Sequence, residues 1–240
     1  MKKICLSLVF SIGSVYAAHW GYDKHNGPDM WAKIDPKFKL CSSGLKQSSV
    51  NIESKKTTES KNELHLLYGT NSKDIINNGH TIALHFNEAG GLVYQNRKYN
   101  LVQLHFHTPS ETQIEGKSYP MEMHMVHKDE KNNYLVLAVL FRKGQNNIML
   151  NNVLSYAPID IDKAHQMDMI YISQLLPKNH GYYAFSGSLT TPPCNEGVQW
   201  IVLKESVEAS QAQIDAMHAI LKDNARNVQP LHDRVILSAP

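Results

Sequence analysis

Three histidines stand at spacings that suit a metal-binding site. His105 and His107 lie two residues apart in the apolar run 101–107, and His124 lies in a second such run, 121–127. Side chains alternate between the two faces of a β-strand, so His105 and His107 share one face. If the two runs form neighbouring strands, His124 adds a third imidazole to that face. Three neutral imidazoles are the ligand set of a catalytic zinc site, in which water takes the fourth position.

Each of the two runs also carries a residue that can hold a histidine in place. A metal-binding histidine usually donates its other ring N–H to a carboxylate or amide oxygen, which fixes the orientation of the ring. Gln103 precedes His105 by two residues, and Glu122 precedes His124 by two residues. We therefore expect Gln103 and Glu122 to lie on the same face as the histidines and to orient them.

The two runs belong to a series of short segments with strand character. These segments are apolar or alternating and are bounded by turn residues; they are 81–86, 101–107, 121–127, 134–141 and 198–203. Helical periodicity is found only at 147–156 and at 210–223, where Ser210 is suited to be the N-cap. The patterns predict a mainly β fold with a large central, twisted, mostly antiparallel sheet and a few peripheral helices.

The N-terminus has the pattern of a secretory signal. Lys2 and Lys3 precede a short apolar stretch, 4–15, and Ala17 closes a cleavage site of small residues. The apolar stretch is too short to span a bilayer as a helix, so we expect no stable membrane anchor. We predict that residues 1–17 are removed and that the protein is exported, either to the periplasm or out of the cell.

The remaining residues, 18–240, are predicted to form a single domain. The chain of 240 residues is 42% hydrophobic and 19% charged, and no repeat or low-complexity linker divides it. Removal of Lys2 and Lys3 with the signal balances the basic residues against the 22 acidic residues. A balanced chain of this kind gives no indication of a nucleic-acid partner or of electrostatic attraction to a membrane.

Cysteine usage agrees with export. Of the three cysteines, Cys5 lies in the signal, which leaves Cys41 and Cys194 in the exported chain. Two cysteines in an oxidising compartment favour a single disulfide over two free thiols.

Six sequence blocks together resemble a known family. In chain order they are HWGY (19–22), NNGH (77–80), LHFHTPSE (104–111), MEMHMVH (121–127), SGSLTTPPCNEGVQW (186–200) and VQPLHDRVI (228–236). In this order they resemble an alpha-class carbonic anhydrase of the exported bacterial type, from about His19 to the C-terminus. The resemblance implies the alpha-carbonic-anhydrase fold and an enzyme that interconverts carbon dioxide and bicarbonate. It also implies inhibition by sulfonamides and, since bacterial relatives are often dimers, a possible homodimer.

The resemblance assigns roles at the metal. It implies that the three histidines bind Zn²⁺ and that Gln103, Glu122 and a backbone carbonyl near Asn224 orient them. Hydroxide on the zinc then attacks carbon dioxide. Thr190 accepts the hydrogen of that hydroxide and donates its own hydrogen to the carboxylate of Glu111. A carboxylate can only accept a hydrogen bond, so Glu111 decides the direction in which Thr190 donates.

The resemblance also implies residues for the substrate and for proton transfer. Carbon dioxide is expected against the backbone N–H of Thr190 and an apolar wall, whose residues are Val126, Val139, Leu189 and Trp200. His80 matches the residue that shuttles a proton to solvent, and an imidazole that titrates near neutral pH suits that task. Thr191 is expected at the substrate site, where it and Tyr22 order water molecules.

Two positions depart from the family pattern. The family usually has a histidine where this chain has Thr112, and often a tyrosine where this chain has Phe185. In the family, that histidine and that tyrosine belong to one buried network, so losing both leaves fewer unpaired groups than losing one. We interpret the two differences as a matched change, which puts the orientation of Glu122 in question.

Two alternatives compete with the carbonic anhydrase interpretation. His105, His107, Glu111 and the following Gly116 resemble the first metal motif of cupin oxygenases, in which Glu111 would be a ligand of iron or manganese. A non-catalytic zinc-binding or interaction protein on the same fold is the second alternative. Neither alternative requires both Thr190 and Glu111 in the roles described above.

Overall fold

The computed structural model describes residues 19–167 and 169–240. The signal predicted over residues 1–17 lies outside the described residues. Within the described part, every helix is too short or too polar to cross a lipid bilayer.

Most of the β structure belongs to one sheet. In the described residues, the strands are β1 (Asn51–Ile52), β2 (Thr58–Glu59), β3 (Leu64–Tyr68), β4 (Asp74–Asn77), β5 (Ile82–His85), β6 (Gly90–Tyr94), β7 (Arg97–His107), β8 (Gln113–Ile114), β9 (Lys117–Ser118), β10 (Met121–Lys128), β11 (Tyr134–Lys143), β12 (Lys163–Gln166), β13 (Tyr182–Ser188), β14 (Glu196–Leu203), β15 (Val207–Ala209) and β16 (Leu237–Ala239). Thirteen of these strands form the large sheet, and ten of the thirteen follow one another in the order β12-β4-β5-β7-β10-β11-β14-β13-β16-β2. β15 also pairs with β11, and β3 joins the sheet through β6, which pairs with β7. β1, β8 and β9 form a small second sheet.

Antiparallel pairing dominates the large sheet. Among the described strands, only β11 with β14, β11 with β15, and β16 with β2 pair in parallel within it. Strands joined by a short turn, such as β10 and β11, pair antiparallel, whereas a parallel neighbour requires a longer connection. The prediction of a large, mostly antiparallel sheet is confirmed.

All five predicted strand segments are strands, and most extend beyond the predicted bounds. β7 begins at Arg97 rather than at residue 101 because it forms a hairpin with β6, in which Arg97 pairs with Tyr94. The two turn residues, Gln95 and Asn96, have φ angles of 52° and 58°. Positive φ at both positions is the geometry of a tight hairpin turn, which usually carries glycine. The turn here has no glycine, so its sequence did not indicate the hairpin.

The pairing of β7 with β10 sets which side chains face the site. His124 lies opposite His105, and Glu122 lies opposite His107. Leu104 and Phe106 project from the other face into the main hydrophobic core, together with the methionines of β10. The two apolar runs are therefore neighbouring strands, and one face of the sheet packs the core while the opposite face presents the histidines.

The helices of the described residues are few and short. They are α1 (Trp31–Ile34), α2 (Leu40–Ser43), α3 (Ile148–Tyr156) and α4 (Gln211–Leu221), with 3-10 turns at Pro36–Phe38, Ser54–Lys56 and Ile172–Leu175. Ser210 caps α4 as predicted: its side chain accepts from the Gln213 N–H, and the Gln213 side chain accepts from the Ser210 N–H. Ile214 and Met217 are buried against the core. The predicted helices are thus confirmed, with α4 ending two residues earlier than predicted.

The predicted disulfide joins Cys41 of α2 to Cys194. The bond connects the N-terminal segment to the loop between β13 and β14. Both cysteines pack with Trp31, which is fully buried. The prediction of a single disulfide is confirmed in the described residues.

A buried histidine on the core side of β10 makes stability depend on pH. His127 is fully buried; its Nε2 lies 2.9 Å from the Tyr68 hydroxyl and its Nδ1 lies 3.3 Å from the Leu135 carbonyl oxygen. Burial lowers the pKa of His127 to about 4. The folded protein therefore resists protonation, whereas the unfolded chain takes up a proton as pH falls below about 6.5.

We expect the free energy of unfolding to fall by about 3 kcal/mol from this group between pH 6.5 and pH 4. Urea unfolding of wild type and His127→Gln at several pH values measures the contribution, because glutamine does not titrate. Wild type should lose more stability on acidification than His127→Gln. Equal pH dependence in the two proteins would contradict the prediction.

Candidate metal centre and active-site cleft

His105, His107 and His124 converge on one point of the sheet. One nitrogen of each ring lies within 4.8 Å of one nitrogen of each of the others. Two adjacent positions of β7 on one face supply His105 and His107, and the register of β10 places His124 directly beside His105. The convergence follows from strand alternation and register, as the spacing predicted.

Each ring is held by an acceptor at its second nitrogen. Nδ1 of His105 lies 2.8 Å from Gln103 Oε1, and Nδ1 of His107 lies 2.8 Å from the carbonyl oxygen of Asn224. Nε2 of His124 lies 2.9 Å from Glu122 Oε1. The distance is that of a hydrogen bond, but the angle at the N–H is too bent for one of standard geometry. This arrangement leaves Nε2 of His105 and His107, and Nδ1 of His124, as the nitrogens that can bind a metal.

Asn224 reaches His107 because the chain turns back after α4. Lys222 adopts a φ of 58°, and its carbonyl oxygen accepts a hydrogen bond from the Thr108 hydroxyl at 2.6 Å. The Asn224 side chain accepts from the Thr108 N–H at 2.8 Å and donates to the carbonyl oxygens of Phe106 and His80, each at 3.0 Å. Asn224 therefore ties the end of β7 to the His80 turn.

The donor set fits Zn²⁺. Burial and the two neighbouring imidazoles lower the pKa of His105, and burial lowers the pKa of His107, so both rings are neutral at neutral pH. Neutral imidazole is the form that binds a metal. Nε2 of His107 is buried without a hydrogen-bond partner in the described residues. A buried polar atom without a partner is costly, and a metal ion at this point would satisfy it.

Thr112, at the position where the family usually has a histidine, holds Glu122. The Thr112 backbone N–H donates to Glu122 Oε2 and the Thr112 hydroxyl donates to Oε1, both at 2.8 Å. Burial alone raises the pKa of Glu122, but His124 and these hydrogen bonds outweigh burial and hold the pKa below its usual range. Phe185 stacks on Trp200 with ring centroids 6.0 Å apart and needs no polar partner. Glu122 thus receives two hydrogen bonds from Thr112 alone. Phe185 leaves no unpaired polar group beside them.

We expect Thr112→Val to destabilise the protein by about 1.5 to 3 kcal/mol, the usual cost of losing a hydrogen bond to a charged group. Zinc affinity should fall about 10-fold or more, because outer partners of metal-binding histidines carry effects of that size. Thermal unfolding and competition with a zinc chelator measure the two effects. Thr112→Ser, which retains the hydroxyl, should stay close to wild type in both measurements. Unchanged zinc affinity in Thr112→Val would contradict this role.

Glu111 lies behind the metal-binding nitrogens. Its Oε1 accepts a hydrogen bond of 2.8 Å from the Arg226 backbone N–H, and its Oε2 lies 3.9 Å from His124 Nδ1. Burial raises the pKa of Glu111 to about 7, while His124, the Arg226 N–H and the Thr190 side chain act in the opposite direction. In the described residues, Oε2 makes no hydrogen bond of standard geometry, so it is the oxygen available to Thr190.

Thr190 lies in the tight loop between β13 and β14. The Leu189 N–H donates to the Asn195 carbonyl at 3.0 Å and the Cys194 N–H donates to the Thr191 carbonyl at 2.9 Å. The Cys41–Cys194 disulfide adds a covalent restraint to the same loop. The loop therefore presents Thr190 to the metal ligands from a rigid base.

A cavity of about 230 Å³ opens beside the histidines. It is lined by Gln103, His105, His124, Val126, Tyr134, Val136, Leu189, Thr190, Thr191 and Trp200. Four of the predicted substrate-site residues besides Thr190 therefore line one apolar cavity next to two of the metal ligands.

Val139 does not line this cavity, so the expectation for Val139 is wrong. On β11, Val136 pairs with Val126 and Ala138 pairs with His124, whereas Val139 pairs with Met123. Paired residues on antiparallel strands point to the same face. Val139 therefore points into the main core. Val136 takes the position on the cavity wall that was predicted for Val139.

A second cavity, of about 170 Å³, shares His105 with the first. Its lining residues are Trp20, Tyr22, Asn78, His80, Thr81, Ala83, His85, Gln103, His105, His107 and Thr191. Gln103, His105 and Thr191 line both cavities. We refer to the two cavities together as the cleft.

His80 and Tyr22 both line the cleft, as the resemblance implies. The His80 ring stacks on Trp20 with centroids 3.7 Å apart and planes inclined by 6°. The Asn78 side chain accepts from the His80 N–H at 2.9 Å and so fixes the turn. Burial and the nearby His19 lower the pKa of His80, so its ring is neutral at neutral pH and able to accept a proton.

Sequence reasoning missed several residues of the cleft. Trp20 belongs to the sequence block HWGY (19–22), but nothing in the sequence indicated that it stacks on His80. Tyr134 and Val136 belong to a predicted strand, but the sequence does not show which face of the sheet they occupy, because the run 134–141 is apolar throughout. His85 could have been found, because Ala83 and His85 alternate within the predicted segment 81–86.

Comparisons with known proteins agree with this geometry. The family model for eukaryotic-type carbonic anhydrase matches residues 26–240. The chain is 44% identical to a carbonic anhydrase of Neisseria gonorrhoeae over 91% of this chain and 87% of the relative, and 40% identical to one of Klebsiella pneumoniae over 98% and 97%. It also resembles the solved structure of an alpha-carbonic anhydrase from Thermovibrio ammonificans in complex with the inhibitor sulfanilamide. That structure has a TM-score of 0.89 and 40% identity, over 92% of this chain and 99% of the neighbour. These matches do not favour the cupin interpretation, and the chain belongs to the family of eukaryotic-type, or alpha, carbonic anhydrases.

Proposed function

We propose that the protein catalyses the reversible hydration of carbon dioxide to bicarbonate and a proton, with Zn²⁺ held by His105, His107 and His124. The observation that carries the proposal is that the three rings converge beside Glu111 and that two of them line an apolar cavity together with Thr190. Bound zinc acts as a Lewis acid that lowers the pKa of a water molecule to about 7, a value for which carbonic anhydrase is itself the standard example.

Thr190 and Glu111 orient the attacking oxygen. The Arg226 N–H occupies Oε1 of Glu111, so Oε2 remains to accept the hydrogen of the Thr190 hydroxyl. The oxygen of Thr190 is then free to accept the hydrogen of the nucleophile. This chain of hydrogen bonds turns a lone pair of the nucleophile toward carbon dioxide.

The apolar wall binds carbon dioxide, which carries no net charge. Val126, Val136, Leu189 and Trp200 line the cavity and keep water from that wall, and we expect the Thr190 backbone N–H to contact a substrate oxygen. Bicarbonate is charged and fits this wall poorly, which favours its release.

His80 carries the proton to solvent. Its ring lies at the cleft wall and is neutral at neutral pH, so it can accept a proton through water and pass it to buffer. Tyr22 and Thr191 line the path between His80 and the metal ligands, where they order the water.

We further propose that residues 18–240 act as a single exported domain, in the periplasm or outside the cell. The Cys41–Cys194 disulfide supports an oxidising compartment. Sulfanilamide is expected to inhibit, as it does the Thermovibrio ammonificans relative. The resemblance allows a homodimer, and analytical ultracentrifugation distinguishes it from a monomer.

Stopped-flow measurement of carbon dioxide hydration by residues 18–240 tests the proposed function. Fast hydration should accompany one zinc per chain, disappear after chelation and return when zinc is added back. His124→Ala should lose both zinc and activity. Slow hydration by a protein that holds a full complement of zinc would overturn the proposal and favour a non-catalytic zinc-binding protein.

A further inference from the structure

A second histidine stands on the wall of the cleft with no role in the mechanism above. His85 is the last residue of β5 and lines the cleft with His80 and His105. Its side chain is 43% exposed, so it contacts both the cleft and solvent.

The register of β5 places His85 on the same face as the metal ligands. Ala83 pairs with His105, and His85 pairs with Gln103, the residue that orients His105. Leu84, between Ala83 and His85, is fully buried in the main core. The orientation of His85 toward the cleft is therefore set by the sheet and not by a mobile loop.

Asp74 holds the ring of His85 from the neighbouring strand. Asp74 and His85 are paired residues of β4 and β5, and Asp74 Oδ1 lies 2.6 Å from His85 Nδ1. Lys73 Nζ lies 3.8 Å from the other oxygen of Asp74. A carboxylate at Nδ1 keeps the hydrogen on that nitrogen and leaves Nε2 as the acceptor. Within the described residues, Nε2 of His85 has no hydrogen-bond partner of its own.

The groups that face His85 come from β4, from β7 and from the wall of the cleft. β4 supplies the anion Asp74, with Lys73 behind it, and β7 supplies neutral Gln103 and, further along the strand, His105. His80 lies elsewhere on the same cleft wall and is stacked on Trp20. Asp74 is thus the acidic group that contacts the ring of His85.

We propose that His85, oriented by Asp74, is a second carrier of protons between the cleft and solvent, acting in parallel with His80. Nε2 of His85 accepts a proton through water in the cleft, and the imidazolium then passes one proton to a buffer base and returns to its neutral form. The inference rests on the proposed carbon dioxide hydration. Asp74 is a positioning residue in this scheme, since it acts only through the ring of His85.

Four proteins test the proposal: wild type, His80→Ala, His85→Ala and the double variant. A proton carrier acts after the hydration step, so we expect its loss to lower kcat and to leave kcat/KM, which reports on hydration, unchanged. His80→Ala should retain about one tenth of wild-type kcat or more, and the double variant should lose a further 10-fold or more. All four should have similar kcat/KM, and free imidazole should restore kcat in the double variant.

Nuclear magnetic resonance supplies a readout that does not depend on activity. In metal-free protein, the ring nitrogens of His85 should show hydrogen on Nδ1 and none on Nε2, and Asp74→Asn should shift this balance. Asp74→Asn in the His80→Ala background should also lower kcat, with kcat/KM retained.

The outcomes separate this inference from the proposed function. If the double variant and His80→Ala have equal kcat while kcat/KM remains high, the role of His85 is refuted and the enzyme assignment stands. If wild type shows no zinc-dependent kcat/KM, both the proposed function and the role of His85 are refuted.

Discussion

We expect Thr190→Val to lower the rate of carbon dioxide hydration by about 100-fold or more while zinc remains bound, a loss typical of removing a positioned proton-transfer group. Valine has nearly the same shape as threonine, so the apolar cavity keeps its volume. It lacks the hydroxyl that accepts from the nucleophile and donates to Glu111. Stopped-flow hydration together with zinc analysis checks the result, and Thr190→Ser, which keeps the hydroxyl, should retain most of the rate.

Glu111→Gln should cause a loss of similar size by reversing one hydrogen bond. Because the Arg226 N–H needs an acceptor, the amide oxygen must face Arg226 and the NH₂ group must face Thr190. Thr190 then accepts from the glutamine and points its own hydrogen at the nucleophile. The double variant Thr190→Val/Glu111→Gln should be little worse than either single variant, because both break one unit. Independent, multiplying losses would show that the two residues do not act together.

Removing the disulfide should be the most damaging change to stability. The double variant Cys41→Ser/Cys194→Ser frees a loop with a sequence separation of 153 residues. The entropy of that loop in the unfolded chain corresponds to about 5 kcal/mol, which is a large part of the stability of an ordinary domain. Urea unfolding measures the change, and the m value should rise because the unfolded chain without the bond exposes more surface.

The wild-type chain supplies the control for this experiment. Unfolding in the presence of a reductant that breaks Cys41–Cys194 should reproduce the curve of the double serine variant. Equal midpoints for oxidised and reduced chains would show that the bond carries no stability. Any loss of activity in the folded double variant reports the second effect of the bond, the restraint of the Thr190 loop.

The strands that carry the metal ligands were predictable because their patterns are local. Alternation in β7 and β10 places His105 and His124 on one face, and pairing of the two strands follows from their apolar opposite faces. The edge of the sheet was not predictable in the same way. β12 is short and wholly exposed, so it lacks the apolar alternation that marks a strand, and β3 is short and buries its alternate residues only partly.

Groups contributed by distant backbone were the hardest part of the site to predict from residues alone. Gln103 and Glu122 follow from spacing, but the carbonyl of Asn224 and the N–H of Arg226 reach the site only through the turn after α4. No side-chain pattern encodes a backbone donor. Val139 illustrates the opposite failure: β11 is apolar on both faces, so its sequence contains no period that separates core from cleft.

Thr112 shows how a departure from a family pattern can be resolved locally. Its hydroxyl and backbone N–H both reach Glu122 because the residue lies in the chain segment next to the start of β10. The sequence comparison indicated a lost partner. The structure has a shorter side chain that restores the contact with two donors.

The long reach of the C-terminal segment implies an order in time. Asn224 and Arg226 hold His107 and Glu111, which precede them by 117 and 115 positions. Synthesis from the N-terminus therefore delivers all three histidines long before the groups that orient them. Contacts so far apart in sequence also form slowly during folding. A nascent chain that ends before Asn224 contains the three histidines but lacks the groups that orient His107 and Glu111. The active site can therefore form only after the segment that carries Asn224 and Arg226 has been synthesised.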